Sequence, residues 1–472
     1  MRQELENSSA IHLPEEVSAD DRFSRLSGTV FILLCVILVF STLAYGAVET
    51  WAFAFIAVVT GLIAVFWLAD AWFNKEFRFD DNLLQLPLIG LIVIGLVQLL
   101  PLRAPETGGA LTVPAVSSLS INPYATRFAV MQLVLLLIFF AAAYAHINTA
   151  ARLRKLVAAV VVFGAAMAFF GILQRLASPE GIYGWRPTPQ AIPFASFVNQ
   201  HHFAAFMEMT IGLTFALLIG KATEKDKRLL LIIALILMGI AILLTGSRGG
   251  VLSLLGVLGF VLLTNVLARR DEDGEFSKEE RRARFKRSLA AIGGGLALLI
   301  VLIGAVLLLG GDAPLLRGAG LATHEDVSSG RLHFWSVGLQ IFMAHPILGA
   351  GLDAFGTAFP LYDTWNGTLR VEQAHNDYLQ ILADAGIFGF ICAAAFIFLL
   401  FRQGFQRIGA EHSHFRRSVA VGGLAGCFGI LIHSFFDFPL RTPSNAFFFL
   451  LFAVFATASV HFSKRSRTRG KR

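Results

Sequence analysis

The sequence predicts an all-α polytopic transmembrane protein, with about twelve spans and one large polar loop carrying amphipathic helices. Three observations lead there. The 472 residues are 56% hydrophobic and 15% charged, where a soluble domain has roughly 45–50% and about 25%. Apolar runs close to the roughly 20 residues that cross a bilayer as helix recur along the whole chain. Runs such as 296–309 are apolar throughout, whereas a membrane β-strand alternates apolar and polar residues.

Residues 1–27 are polar and of mixed charge, with no apolar core, which predicts a disordered cytoplasmic tail rather than a cleavable signal. The apolar runs then follow at 28–47, 51–69, 83–101, 125–145, 156–175, 203–220, 229–244, 250–267, 288–310, 376–400, 418–436 and 443–461. The first serves as an uncleaved anchor, and the run at 229–244 is the shortest that still spans. These runs divide the chain into a transmembrane bundle over 28–310, a large loop over 311–375, further transmembrane helices over 376–462 and a basic cytoplasmic tail over 463–472. Cys35, Cys392 and Cys427 all lie in apolar runs without metal-ligand spacing and read as packing residues.

Charge orients the spans. With the amino terminus placed in the cytoplasm, 30 of the 39 Lys and Arg residues fall on the cytoplasmic side, and so does every lysine. The positive-inside rule is satisfied, and losing any one span breaks the alternation. The basic stretches at 269–287 and 463–472 fit anionic lipid headgroups and topology better than nucleic acid. The far side carries only arginine, the residue whose planar fork grips phosphate or carboxylate.

Chemistry belongs at the helix junctions of that far side. Gly246-Ser247-Arg248-Gly249-Gly250 lies between two spans, so Arg248 sits at a helix amino end, where unpaired N–H groups and the dipole favour an anion. The same pentapeptide reads equally as a tight turn with a headgroup-level arginine. Residues 312–374 form the longest polar excursion of the chain. Within it, Ser328-Ser329-Gly330 can cap a helix starting at Arg331. Phe334, Trp335, Gly338, Leu339, Phe342 and Met343 then fall at helical spacing, which predicts an amphipathic helix on the membrane surface, ended by His345-Pro346. Arg331 is an anion ligand or an interfacial anchor. His375-Asn376-Asp377 opens the next span; a helix amino end favours the neutral imidazole, which can accept a proton, although interfacial packing is the alternative. In Phe197-Val198-Asn199-Gln200-His201-His202, adjacent histidines point apart on a helix and lack an acidic partner closer than Glu208, so hydrogen bonding is favoured over metal.

Two arginines for an anion, one histidine for a proton and a lipid setting together suggest displacement of a lipid diphosphate by a hydroxyl. The leaving group needs positive charge, the hydroxyl needs a base, and neither metal nor other cofactor is called for.

These motifs resemble the O-antigen ligase and polymerase superfamily. The resemblance rests on Gly246-Ser247-Arg248-Gly249-Gly250, on Ser329-Gly330-Arg331-Leu332-His333-Phe334-Trp335 followed by His345-Pro346-Ile347-Leu348-Gly349-Ala350-Gly351, and on Ala374-His375-Asn376-Asp377-Tyr378, with the Asn199 loop upstream. It spans about 194–387. It implies a bacterial inner-membrane transferase that moves a glycan from undecaprenyl diphosphate to an acceptor hydroxyl on the periplasmic side. By position Arg248 and Arg331 match the diphosphate-binding arginines, His375 the proposed base, and Asn199 and Asn376 substrate-contacting positions of less settled role. His201 stands where the family often has a second Asn, so no role carries over to it. The acceptor is a second lipid-linked glycan, lipid A-core, or protein Ser and Thr. The segment His433-Ser434-Phe435-Phe436-Asp437-Phe438-Pro439 resembles members linked to exopolysaccharide polymerisation and inclines the reading toward polymerase. The rival class is a transporter or flippase of lipid-linked glycans, which keeps ionisable groups at mid-membrane; Glu208 and Asp384 are the main such groups here.

Overall fold

Every expected span that falls within the described residues contains a helix. The computed structural model describes residues 25–102, 117–177, 181–189, 191–272, 330–365 and 370–459, with the side chains of 267–272 set aside. The principal helices are α1 (Arg25–Leu43), α2 (Thr50–Asn74), α3 (Gln85–Gln98), α4 (Pro123–His146), α5 (Ala150–Ala177), α6 (Gln200–Ile219), α7 (Arg228–Thr245), α8 (Arg248–Glu272), α9 (Arg331–Ala344), α10 (Asp377–Ala410), α11 (His414–His433) and α12 (Pro443–Thr457). Among the described residues nine helices are long and apolar enough to cross a membrane, and α3 and α12 are shorter apolar helices. No sheet forms there, so the protein is an all-α polytopic membrane protein. The expected span at 288–310, most of the basic stretch at 269–287, the first part of the polar excursion, and both chain ends lie outside the described residues.

The bundle is built around α6. From His202 to Leu217 each of its residues is buried, and it packs against α7, α8 and α11. Lipid tails are as apolar as leucine, so close backbone packing rather than hydrophobicity holds such helices together. Gly422 of α11 supplies that approach: a Cβ there would stand 2.7 Å from the Cα of Leu213 on α6. The other side of α11 meets α12, where the buried Arg416 guanidinium donates to the carbonyls of Phe455 and Ala458 and so occupies the free carbonyls of a helix end. Peripheral helices turn one apolar stripe inward and another outward. On α2, Ala52, Ile56, Val59 and Ile63 are buried while Trp51, Val58, Val65 and Trp72 are exposed, as a lipid-facing helix requires.

Two expectations need correction. The helix at Arg331–Ala344 forms with the expected ends, but its buried stripe is Phe334, Val337, Gly338 and Ile341. That stripe packs on α10 and joins Phe355, Phe359 and Val371 in a small core of its own, leaving Leu332, Leu339 and Met343 outward. One face of the helix is therefore clamped onto protein, and the other presents apolar side chains outward. Its cap is Gly330, in the left-handed region at φ 80°, with no side-chain bond; Ser328 and Ser329 lie outside the described residues.

The second correction concerns α10. The run at 376–400 reads as one straight span, yet Gly386 breaks the helix at φ 63°, ψ −161°, and the helix continues to Ala410. The loop after α9 inserts at the break. Ala350 and Gly351 donate to the carbonyls of Ala383 and Asp384 at 2.8 and 3.0 Å, and Ile387 donates to Pro346 at 2.9 Å. Gln98, at the end of α3, donates to the carbonyls of Leu348 and Asp384 and accepts from the Leu352 amide, so backbone groups freed at the break find partners. Arg441 crosses to Asp353 (3.2 Å) and Asp384, which accounts for one of the two ionisable groups that suggested transport.

Candidate active site

Six helix ends meet at one end of the bundle and line a cavity of about 170 Å³. Its wall includes Arg175 from the end of α5, Gln200 and His201 from the start of α6, Thr245 to Gly249 across the α7–α8 turn, Arg331 at the start of α9, and His433, Phe436 and Asp437 from the end of α11 and beyond.

Local chemistry builds each wall. Gly246 ends α7 in the left-handed region at φ 67°, where a residue without Cβ carries no steric cost. Ser247 then caps α8: its Oγ accepts the amide N–H of Gly250 at 3.1 Å. The same hydroxyl bonds His201 Nδ1 at 2.9 Å, tying α6 to the α8 turn. Arg248 is thereby the first residue of a capped helix that opens on the cavity.

His375 reaches this cavity through Asp437. Its Nδ1 lies 3.1 Å from Asp437 Oδ1, which also accepts the Phe438 amide at 2.9 Å. Asp437 is 1% exposed and His375 31%. Burial works to raise the Asp437 carboxyl, but the His375 hydrogen bond and the imidazoles of His202 and His201 outweigh it and hold the group well below the usual carboxylate range. An ionised carboxylate on Nδ1 fixes the proton there and leaves the Nε2 lone pair available as a base. His375 itself sits at φ 51°, a conformation that a non-glycine residue holds only when its surroundings impose it. Those surroundings are the Asn376 cap on α10, the Asp377 amide bonded to Ser434 at 2.9 Å, and the rings of Phe438 and Phe334. Phe334 stands one turn from Arg331, so α9 brings its arginine and an imidazole support together.

The candidates thus divide. Arg248 and Arg331 share one cavity wall, whereas His375 lies outside the lining and meets it through its bond to Asp437. Asn199 and Asn376 are outside the lining; both are helix N-caps, accepting from His201 N, and from Tyr378 N and Leu379 N, respectively. His201 and His202 do point apart, to Ser247 and to Thr442 Oγ1 (2.7 Å). Asp437 and Arg175 are site residues that the sequence reading did not assign. The all-arginine far side included Arg175, and the resembling segment at 433–439 contained Asp437, so a signal for each was present. Of the other far-side arginines, Arg186 pairs with Glu49, Arg370 with Glu372 and Arg441 with two aspartates.

Three arginines lining one small cavity can together hold a doubly charged anion, and the imidazole of His375, oriented by the Asp437 of its wall, can take a proton. Residues 233–394 match the family model described as O-Antigen ligase, about a third of the chain. The matched region contains Arg248, Arg331 and His375 and ends before Asp437. No curated protein matches the chain.

Proposed function

We propose that this chain, whose residues 233–394 match the O-Antigen ligase family model, is a membrane enzyme that moves a glycan from an undecaprenyl-diphosphate carrier to an acceptor hydroxyl at the periplasmic face of the bacterial inner membrane. The acceptor is a second lipid-linked glycan, so the product is a lengthening polysaccharide; the segment at 433–439 favours this over lipid A-core or protein acceptors. The crowding of 30 of the 39 Lys and Arg residues on the opposite side supports an orientation that puts the cavity on the periplasmic side.

One observation carries the reading: Arg175, Arg248 and Arg331 converge on the cavity whose Asp437 orients His375. In the reaction His375 Nε2 takes the acceptor proton as its oxygen attacks the sugar's anomeric carbon. The bond from that carbon to the diphosphate oxygen breaks, and its electron pair leaves with the undecaprenyl diphosphate. The guanidinium groups receive that charge, which is stronger stabilisation in a protein-lined cavity than in bulk water. The arginines supply the positive charge, so the step needs no metal.

Purified full-length protein in lipid nanodiscs, given a lipid-linked repeat unit, should produce a ladder of longer chains. A deletion strain should lose only long chains. Loss of all surface-attached glycan would instead make it a ligase, and loss of protein-linked glycan a protein glycosyltransferase. Uptake of lipid-linked glycan into liposomes that survives His375→Ala would overturn the enzymatic reading.

A further inference from the structure

We propose that His433, backed by Glu208, is a second imidazole of this cavity and donates a hydrogen bond to the leaving diphosphate. This rests on the reading of the cavity as a diphosphate site.

Glu208 lies two turns inside α6, and His433 is the last residue of α11. Their side chains are 0% and 1% exposed, and Glu208 Oε1 is 2.7 Å from His433 Nδ1. A carboxylate and an imidazole buried together in a membrane bundle are costly, and apolar packing would serve structure as well or better. The pair therefore points to a task, and its position shows one. His433 is part of the cavity wall, beside Gly249 and Arg248. A Cβ at Gly249 would stand 3.4 Å from His433 Nε2, so the missing side chain leaves the ring edge uncovered toward the first turn of α8. The backbone that carries the ring is fixed as well, because the His433 carbonyl accepts the amides of Phe436 (2.8 Å) and Asp437 (3.0 Å).

With Nδ1–H given to the Glu208 carboxylate, the ring needs an acceptor on Nε2 to be held as imidazolium. A diphosphate oxygen is such an acceptor. Two carboxylate–imidazole pairs then flank the cavity, with opposite tasks. His375, oriented by Asp437, takes the acceptor's proton. His433, oriented by Glu208, offers an N–H to the oxygen that gains charge as the glycosyl bond breaks, and keeps its proton. Glu208 is a positioning residue, acting through His433.

The test uses full-length protein in nanodiscs with inorganic pyrophosphate as probe and isotope-labelled histidine observed by NMR. Pyrophosphate should convert one imidazole to the doubly protonated form, and that signal should be absent in His433→Gln and in Glu208→Gln. Glu208→Gln, which keeps the size and an acceptor, should weaken pyrophosphate binding about tenfold, the size of one charge-assisted hydrogen bond. Gly249→Ala should weaken it similarly by crowding the ring edge. A signal that persists in His433→Gln, or unchanged affinity in Glu208→Gln while Arg248→Ala binds weakly, would overturn the role of the pair and leave the diphosphate site standing. Unchanged affinity in Arg248→Ala would remove the site itself.

Discussion

The Nδ1 of His375 and the Oδ1 of Asp437, brought together from opposite ends of α10 and α11, share a hydrogen bond of 3.1 Å. The contact decides which ring nitrogen keeps the proton. Asp437→Asn offers an amide in place of an acceptor-only group, so the ring can take the opposite tautomer, with hydrogen on Nε2 and no base facing the acceptor. Glycan transfer should fall by about 10²–10⁴, the range for losing general base catalysis, and His375→Ala should fall as far. The two changes combined should cost little more than either alone, since they act as one unit. Chain-length ladders from the nanodisc assay give the comparison, with membrane insertion checked by yield.

Arg248→Lys and Arg331→Lys keep the charge and lose the planar fork. A point charge binds phosphate but does not grip two oxygens at once. Each should lower transfer by at least about tenfold, and Arg175→Lys should show whether the third guanidinium shares the load. Arg186→Lys, whose partner is Glu49 at a distance from the cavity lining, serves as the control and should leave transfer intact.

Asp437 also sets an acid limit on stability. Its folded carboxyl titrates below the unfolded value of about 3.9. A group depressed in this way contributes its full stabilisation above the unfolded value and loses it as pH falls through the folded one. The contribution should therefore be flat between about pH 5 and 8 and should fade below about pH 4. Thermal melts in detergent should show Asp437→Asn less stable than wild type at neutral pH, with the gap closing in acid.

Much of this was legible in the sequence because a bilayer imposes a simple rule on composition. Runs of apolar residues gave the helices, and Arg248, Arg331 and His375 stood out by lying at helix junctions. What pairs with them was not legible. Asp437 follows His375 by 62 positions, and only the packing of α11 beside α10 closes that distance. Arg175 looked like any cation ending a span, since nothing local says that α5 ends beside α8. Which stripe of α9 is buried was not legible either, because Leu339, Phe342 and Met343 are as apolar as Val337 and Ile341, and only the partner surface decides which face is covered. Gly386 gave no warning either, as glycine is common in transmembrane helices.

The Arg441 cluster is the next structural test. Burial works to lower the Arg441 guanidinium, but Asp384, Asp353 and Asp377 outweigh it and raise it further. Asp384 is 0% exposed and has Arg441 and Gln380 as its side-chain donors. Arg441→Gln leaves a buried carboxylate without its cation, which should cost about 3–5 kcal/mol. The double change Arg441→Met with Asp384→Leu removes both charges and should recover much of that loss, read as the melting midpoint in detergent.

Gly386 carries the last prediction. At φ 63°, ψ −161° it occupies a region that L side chains rarely adopt, and a Cβ there would stand 2.4 Å from the carbonyl oxygen of Ile347. That oxygen belongs to the inserted loop, which the facing Gly349 also admits at φ 74°, with its own Cβ position 2.3 Å from the carbonyl carbon of Asp384. Each glycine makes room for the other's backbone, so neither alanine is absorbed by a side-chain shift. Gly386→Ala should destabilise by about 3 kcal/mol or more through backbone strain alone. The loop carries Asp353, the partner of Arg441, and leads toward the α10 start that holds His375. Transfer should therefore fall with stability in Gly386→Ala, whereas Gly409→Ala, with open space around its Cβ position, should change neither.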